Sequence, residues 1–258
     1  MKHKVIYTCL TGGYDELRQP IAVHPDWDYI CFSDCLPLGQ NGVWNVLPIP
    51  YSGNNPIFKS RYPKILPNEC LSEYEYSLYI DANLQINNAK FYNRLESLIQ
   101  HDVLIANVNH PIRDCIYKEI LECCDKGLES IFVLSRQWKQ LKSRKYPTHW
   151  GLYENNVIFR KHNHPAVIRA MESWWKQFHN ICHRDQLSLC FVYWQQSIHP
   201  ELIFPSDICA RNTSELNCFW HPKRLSFGKR CIKKLKRIRN QLLMRLMSGR
   251  YFPDNVRT

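Results

Sequence analysis

Short apolar, β-rich segments alternate with turn-rich or helix-like stretches through the first 110 residues of the chain. The strand candidates are residues 5–9, 29–33, 44–47, 77–80 and 103–108. This alternation is typical of a layered α/β sheet. Helices are expected over residues 57–66, interrupted at Pro63, and then over 113–125, 131–142, 165–178 and 185–194, with a returning strand over 152–160. Residues 205–220 show no pattern that assigns them.

The length and the cysteines narrow the class of protein. A chain of 258 residues is long enough to bury a sizeable core. No run approaches the roughly 18 to 20 apolar residues that cross a bilayer, and the N-terminus leads into a strand rather than a signal peptide, so we expect an intracellular protein. Twelve scattered cysteines without a C-x-x-C pair then favour reduced thiols over disulfides or a zinc site.

The positive charge is concentrated near the C-terminus. Eleven of the 34 Lys and Arg residues lie between Lys223 and Arg250, a stretch with no acid, and the rest equal the 23 Asp and Glu in number. Apolar residues recur here at helical spacing, at Ile232, Leu235, Ile238, Leu242 and Leu246. We therefore predict a main domain over 1–222 and a basic amphipathic segment over 223–258.

This basic helix has three possible interpretations, of which one is disfavoured. It can lie on an anionic membrane surface, or it can pack on the main domain and show a solvated basic face. Nucleic-acid binding is disfavoured because interleaved aromatics and a recognition motif are missing.

One predicted strand ends in a pair of oxygen ligands. Residues 76–80 run directly into Asp81, Ala82 and Asn83. At the carboxyl edge of an α/β sheet, where ligands usually bind, such side chains suit Mg²⁺ or Mn²⁺. The alternative is structural, with Asp81 capping the next segment and Asn83 in its turn.

Seven motifs in order resemble one known family. They are YTCLTGGYD at 7–15, DWDYICFSD at 26–34, KSRYPKILP at 59–67, YIDAN at 79–83, HPxR at 110–113, GLYENN at 151–156 and RDQLS at 184–188. They resemble the glycosyltransferase-like group long catalogued as a domain of unknown function, with bacterial surface-polysaccharide proteins and plant relatives linked to mucilage and pollen-tube turgor. The resemblance covers about residues 4–222. It implies a GT-A-like fold, a Rossmann-like mixed sheet flanked by helices, and sugar transfer from a nucleotide donor.

The resemblance also implies roles for particular residues. The donor nucleotide would meet the loop after the first strand and the end of the second, namely Thr11, Gly12, Gly13, Tyr14, Asp15 and Asp34. Its diphosphate would meet Lys59, Arg61 and Lys64, which are otherwise solvated cations on a helix.

Catalysis and acceptor binding are assigned in the same way. Asp185 is the expected general base or transition-state stabiliser, helped by Arg184 and Glu154, although it suits a helix cap equally well. The sugar or acceptor would meet Asn155, Asn156, His110 and Trp150, of which the two amides could instead fix neighbouring loops.

A divalent cation, Mn²⁺ or Mg²⁺, would be held by Asp81, Asn83 and His221. Asn83 stands where GT-A enzymes commonly have a second Asp, and a neutral amide binds a dication less strongly. A metal-independent site that uses Lys59 and Arg61 is therefore also open.

The predicted protein is a glycosyltransferase that moves a sugar from a nucleoside-diphosphate donor, with UDP favoured, to a surface glycan or lipid-linked acceptor such as capsule or lipopolysaccharide. We expect it in the cytoplasm, peripheral at the inner face of the cytoplasmic membrane. One alternative is a ceramidase-like lipid amide hydrolase, as described for a plant relative, although neither a G-x-S-x-G nor an H-E-x-x-H motif is present. The other is a sugar- or lipid-binding module without catalysis.

Overall fold

A computed structural model describes residues 2–220 and 227–253 of the chain. The strands are β1 (Lys2–Leu10), β2 (Asp28–Ser33), β3 (Gly39–Asn41), β4 (Trp44–Leu47), β5 (Tyr74–Ile80), β6 (Leu84–Ile86), β7 (Ile105–Asn109), β8 (Tyr153–Arg160), β9 (Glu201–Leu202) and β10 (Leu216–Cys218). The helices are α1 (Pro56–Ile65), α2 (Pro67–Cys70), α3 (Lys90–Gln100), α4 (Ile116–Asp125), α5 (Ile131–Ser143), α6 (Pro165–Asn180), α7 (Leu189–Gln195) and α8 (Phe227–Tyr251), with a 3-10 turn over Asp185–Leu187.

Eight of the described strands form one mixed sheet in the order β3-β4-β2-β1-β5-β8-β7-β9, and β10 pairs with β6 in a small second sheet. Strands β2 and β5 both run parallel to β1, so the carboxyl ends of these three strands meet at one edge. Strand β8 is antiparallel to β5 and β7 and therefore begins at that same edge. Ligands usually bind in open α/β sheets at this kind of edge.

Both faces of the sheet are covered, which explains the nearly continuous apolar character of its central strands. Successive side chains of a strand point to opposite faces. Val5 and Tyr7 of β1 accordingly pack in the core beneath α1, α6 and α7, whereas Ile6 and Leu10 pack in the core beneath α3.

A third core joins α4 and α5 to the end of the chain. Phe252, just after α8, is fully buried there and packs edge-on against Trp138 of α5. Helix α8 itself lies against α4 and α5 and departs from helical geometry at Met247. The predicted division at residue 222 stays a prediction.

The predicted α/β class, a mixed sheet flanked by helices, is confirmed, and the GT-A-like assignment stays an inference from the resemblance. The helix predicted from residue 113 begins at Ile116, and the one predicted from residue 185 begins as the 3-10 turn before α7. Helix α1 continues past Pro63 for only two residues, to Ile65. Helix α3 and the short strands β3, β6, β9 and β10 were not predicted from the sequence.

Two further features bear on the expectations from composition. The twelve cysteines, all within the described ranges, have free thiols. Among the described helices, none combines the length and the apolar character required to cross a bilayer.

Candidate functional site

The loop after β1 is held against the end of β2. Gly12 and Gly13 both have a positive φ, near 60°, which glycine adopts without steric cost. The Gly12 amide donates a 2.8 Å hydrogen bond to one carboxylate oxygen of Asp34, and the Lys59 ammonium lies 3.1 Å from the other. Partial burial raises the pKa of Asp34, but the Gly12 hydrogen bond and Lys59 outweigh it and hold that pKa below its ordinary value. Asp34 therefore links this loop to α1.

The centre of the edge holds an ion-pair cluster made by Arg61, Lys64, Asp81 and Asp185. The buried Lys64 ammonium lies 2.8 Å from Asp185 and 3.5 Å from Asp81. Arg61 lies 3.3 Å from the same Asp185 oxygen, and Tyr79 donates a 2.8 Å hydrogen bond to Asp81. Three distant segments, α1, the end of β5 and the 3-10 turn, are thus joined by charge.

The cluster fixes the protonation state of Asp185. Burial alone would raise the pKa of this carboxyl group, but Lys64 and Arg61 outweigh burial and lower the pKa well below its ordinary value. Asp185 is consequently a permanent anion near neutral pH. Such a carboxylate is a weak proton acceptor, and its geometry suits it to orient the two cations.

An irregularity in the sheet produces the polar segment Glu154–Asn156. Along β7 and β8 the pairing passes from Asn107 opposite Ile158 to Val108 opposite Glu154, so β8 contains extra residues at this point. Bulges of this kind re-aim side chains and are common beside active sites. The bulge brings Glu154, Asn155 and Asn156 to the wall of a cavity beside the ion-pair cluster.

The pKa of Glu154 is shifted in the opposite direction to that of Asp185. Its side chain is almost fully buried and accepts hydrogen bonds from the Asn156 amide and the Ala210 backbone, both at 3.3 Å. Arg211 lies 3.1 Å from it. Burial raises the pKa of Glu154 above its ordinary value, although Arg211 and the hydrogen bonds oppose the shift. A raised pKa makes Glu154 a better proton acceptor than Asp185.

Asn155 is buried with unused hydrogen-bonding capacity. It is 6% exposed, and within the described chain neither its amide nitrogen nor its oxygen has a hydrogen-bond partner. The side-chain oxygen of Asn156 also has none among these residues. Unpartnered buried polar groups cost about 1–3 kcal/mol each, and native structures seldom contain them without a reason such as a bound ligand. These amides are therefore candidates to bind the hydroxyls of a sugar.

His110 follows β7 and lines the same cavity. Its Nδ1 accepts the backbone amides of Arg113, at 3.0 Å, and Ile112, at 3.3 Å, so the proton of the neutral ring lies on Nε2. Burial lowers the pKa of His110, with Glu119 opposing the shift. A neutral His110 thus offers one N–H donor.

Two cavities meet at Arg61 and Asp81. The smaller, which we call the polar cavity, is about 140 Å³ and is lined by Arg61, Lys64, Asp81, His110, Glu154, Asn155, Asn156, Asp185, Gln186 and Arg211. The larger, which we call the donor cavity, is about 600 Å³ and is lined by Cys9, Leu10, Thr11, Tyr14, Asp15, Ser60, Arg61, Tyr79, Asp81, Ala82, Asn83, Leu128 and Arg184. The larger volume lies within the ~300–1,000 Å³ range of small-molecule sites.

Arg184 gives the donor cavity a second cation besides Arg61. Its Nε is buried and has no hydrogen-bond partner among the described residues. A guanidinium with an unused buried N–H is suited to bind phosphate oxygens.

Asp81 and Asn83, two of the three predicted metal ligands, contact other groups of the described chain. One Asp81 oxygen accepts from Tyr79 and faces the Lys64 ammonium, and the Asn83 side chain donates a 3.0 Å hydrogen bond to the Phe219 carbonyl. No group of three or more His, Cys, Asp or Glu side chains in the described chain is placed to hold a metal. His221, the third predicted ligand, lies outside the described residues.

Several predicted residues lie beside the cavities rather than in their walls. They are Gly12, Asp34 and Lys59, which hold one another together; Gly13, whose amide donates to the Cys35 sulfur at 3.1 Å; and Trp150, whose ring packs against Tyr146 and His199. Their contact with donor or acceptor stays a prediction. Arg211 was missed because residues 205–220 show no periodic pattern.

Comparison with known proteins supports the resemblance seen in the motifs. The family model described as TOD1/MUCI70, glycosyltransferase-like domain, matches residues 38–214, more than half of the chain. The chain belongs to this family. No match was found among curated proteins. A solved structure titled WbbM bifunctional glycosyltransferase, in its apo form, is similar over 92% of this chain with 8% identity and a TM-score of 0.43, and the chain spans 44% of that protein.

Proposed function

We propose that this protein is a glycosyltransferase that uses a nucleoside-diphosphate sugar, with UDP as the favoured nucleotide. The observation that carries the proposal is the junction of the two cavities, where the ion-pair cluster meets the unpartnered Asn155. Family membership supports the same class of activity.

The donor diphosphate would lie at the junction, between Arg61 and Arg184. Transfer breaks the bond between the sugar's anomeric carbon and a diphosphate oxygen, and the leaving diphosphate takes the electron pair. Cations fixed in advance at this point stabilise the developing charge. Asp185 supports this role because it holds Arg61 and Lys64 in place. The predicted Mn²⁺ or Mg²⁺ requirement remains a prediction, and no step depends on it.

Glu154 would act as the proton acceptor. The acceptor hydroxyl loses its proton to the Glu154 carboxylate as its oxygen bonds to the anomeric carbon. The raised pKa of Glu154 and its place in the wall of the polar cavity support this assignment over Asp185. Asn155, Asn156 and His110 would bind the sugar's hydroxyls. The acceptor would be a surface glycan or lipid-linked glycan, presented at the inner face of the cytoplasmic membrane.

Thermal unfolding with ligands tests the donor proposal. The wild type is heated with UDP, GDP, CMP and their sugars, each with Mn²⁺, with Mg²⁺ and with a chelator. A ligand at about 100 times its dissociation constant stabilises the native state by ~2.7 kcal/mol. We expect a raised midpoint with one nucleotide class, lost in Arg184→Met and retained in Arg144→Met, a control at an exposed arginine after α5. No shift with any nucleotide would contradict the proposal, and loss of the shift on chelation would show a metal requirement.

A further inference from the structure

Helix α8 is attached to the body through a polar anchor. Asn240 is fully buried, and its oxygen accepts the Ile131 amide at 3.1 Å. Its amide nitrogen donates to the carbonyls of Cys124, at 3.1 Å, and Glu129, at 2.8 Å. These three bonds fix the rotation of the helix about its own axis.

A close backbone approach reinforces this attachment. Gly127 has a φ of +61°, and a Cβ at this position would lie 2.7 Å from the Arg237 backbone nitrogen of α8. Beyond the helix, the Trp138 indole donates a 3.0 Å hydrogen bond to the Pro253 carbonyl. The attachment therefore extends from Arg237 in the middle of the helix to Pro253, just after its end.

Leu243 and Met244 of α8 pack on the third core, but five other apolar residues of the helix face away from the body. Ile238 and Leu242 lie two residues before and after Asn240, which is about 200° around a helix of 3.6 residues per turn. They belong to what we call the apolar stripe, whose side chains are between 52% and 70% exposed: Ile232, Leu235, Ile238, Leu242 and Leu246. Contiguous exposed apolar surface of this kind marks an interaction site.

Exposed cations accompany the apolar stripe. Those on the described part of α8 are Arg230, Lys233, Lys234, Arg237, Arg239, Arg245 and Arg250. Two more exposed cations of α5, Arg136 and Lys139, share a cavity of about 410 Å³ with Arg250 and Tyr251. The sequence contains no acid from residue 223 to residue 250, so the charged side chains of α8 are all cations.

We propose that the apolar stripe is a membrane-docking face that inserts into the headgroup region of an anionic bilayer, with the surrounding cations bound to lipid phosphates. A helix with an apolar face and a cationic polar face binds such surfaces in its own plane. A second copy of the chain is the less suitable partner, because a two-fold interface places the same surface on both sides and would bring these cations against one another.

Docking would also bring the donor cavity close to the bilayer. Leu128, in the wall of that cavity, directly follows Gly127, which contacts α8. A lipid-linked acceptor would then be presented beside the site, and this consequence rests on the proposed function. The proposal that the stripe binds a bilayer does not depend on the proposed function.

Sedimentation with vesicles tests the docking face in the full chain. The probes are vesicles of equal parts phosphatidylglycerol and phosphatidylcholine, and vesicles of phosphatidylcholine alone. The test variant is Leu235→Gln/Leu242→Gln, and the control is Ile21→Gln/Leu38→Gln, which changes two comparably exposed residues elsewhere on the body. We expect wild type and control to bind the anionic vesicles, and this binding to weaken as the salt concentration rises. We expect the test variant to bind at least about tenfold more weakly than wild type.

Three results would overturn the proposal. The first is that the wild type does not bind the anionic vesicles. The second is that it binds vesicles of phosphatidylcholine alone equally well, and the third is that the test variant binds the anionic vesicles as well as the wild type does. The wild type could instead self-associate in analytical ultracentrifugation without binding vesicles, while the test variant stays monomeric. That result would assign the apolar stripe to an interface with a second copy of the chain. The nucleotide-induced thermal shift, measured on the same samples, shows separately whether donor binding has failed.

Discussion

Replacement of Lys64 by Met tests whether the ion-pair cluster organises the site. Lys64 is 2% exposed, and its ammonium serves both Asp185, at 2.8 Å, and Asp81, at 3.5 Å. Removal of one partner of a buried ion pair costs about 3–5 kcal/mol because the other charge is left unpaired. Asp185 keeps Arg61 at 3.3 Å, so we expect a loss near the lower limit, about 3 kcal/mol.

Lys59 provides the matched control on the same helix. Its ammonium also lies near one carboxylate, that of Asp34, at 3.1 Å, but both side chains are about one quarter to one third exposed. Partly exposed pairs contribute at most about 1 kcal/mol. Urea unfolding of Lys59→Met and Lys64→Met should therefore separate the two variants by about 2 kcal/mol. The double variant Lys64→Met/Asp185→Asn should recover part of the loss, because no anion remains unpaired.

The cost of Lys64→Met should depend on pH. The pKa of Asp185 in the wild type lies below its ordinary value of 3.8, so its stabilisation is complete above that value and is lost as the pH falls through the folded-state pKa. Without Lys64, one of the two cations that lower this pKa is lost, so the Asp185 pKa is higher in the variant. The difference between wild type and variant should then be greatest near neutral pH and should shrink as the pH falls through the pKa of the variant towards that of the wild type. A cost equal to that of Lys59→Met, or one independent of pH, would show that the buried pair of Lys64 and Asp185 does not organise the site.

Four other changes have definite expected outcomes. Asn155→Leu should raise the free energy of unfolding by about 1 kcal/mol and should lower the rate of turnover. Asn240→Leu removes three hydrogen bonds and should lower the free energy of unfolding by about 3 kcal/mol. Urea unfolding measures both free energies. Glu154→Gln should reduce initial transfer rates by about 10²-fold or more. It should also abolish the decline of activity that the wild type shows as the pH falls through the raised Glu154 pKa, above 4.5. Gly127→Ala should lower the thermal stability by more than about 1 kcal/mol, because its positive φ and the nearby Arg237 backbone both oppose a side chain; an unchanged midpoint would contradict the described attachment of α8.

The elements that sequence predicts best are those with a local pattern. Strand β5 and the turn at Asp81 follow from one apolar run and its abrupt end, and the stripe on α8 follows from spacing alone. The β8 bulge has no such pattern, because it depends on pairing with β7. The partners of Lys64 come from two distant segments, so neither its burial nor its ion pairs could be predicted from the local sequence of α1.

The position of α8 shows the same limit. Hydrophobic periodicity identifies Leu235 and Leu242 as one face, and the usual inference is that such a face packs on the body. The structure instead packs the helix through Leu243, Met244 and the polar Asn240, whose side chain makes three hydrogen bonds to backbone groups of α4, α5 and the turn between them. Only the tertiary arrangement distinguishes these two possibilities.

The release of nucleotide from sugar donors is the most direct test of the proposed glycosyltransferase activity. Purified wild type is incubated with UDP-, GDP- and CMP-sugars, with and without divalent cations and candidate lipid-linked acceptors, and the free nucleotide is quantified. We expect release from one donor class and a rate that falls by about 10²-fold or more in Glu154→Gln, a variant that should still bind the donor. No release from any donor, or release at the same rate in Glu154→Gln, would contradict the proposed activity.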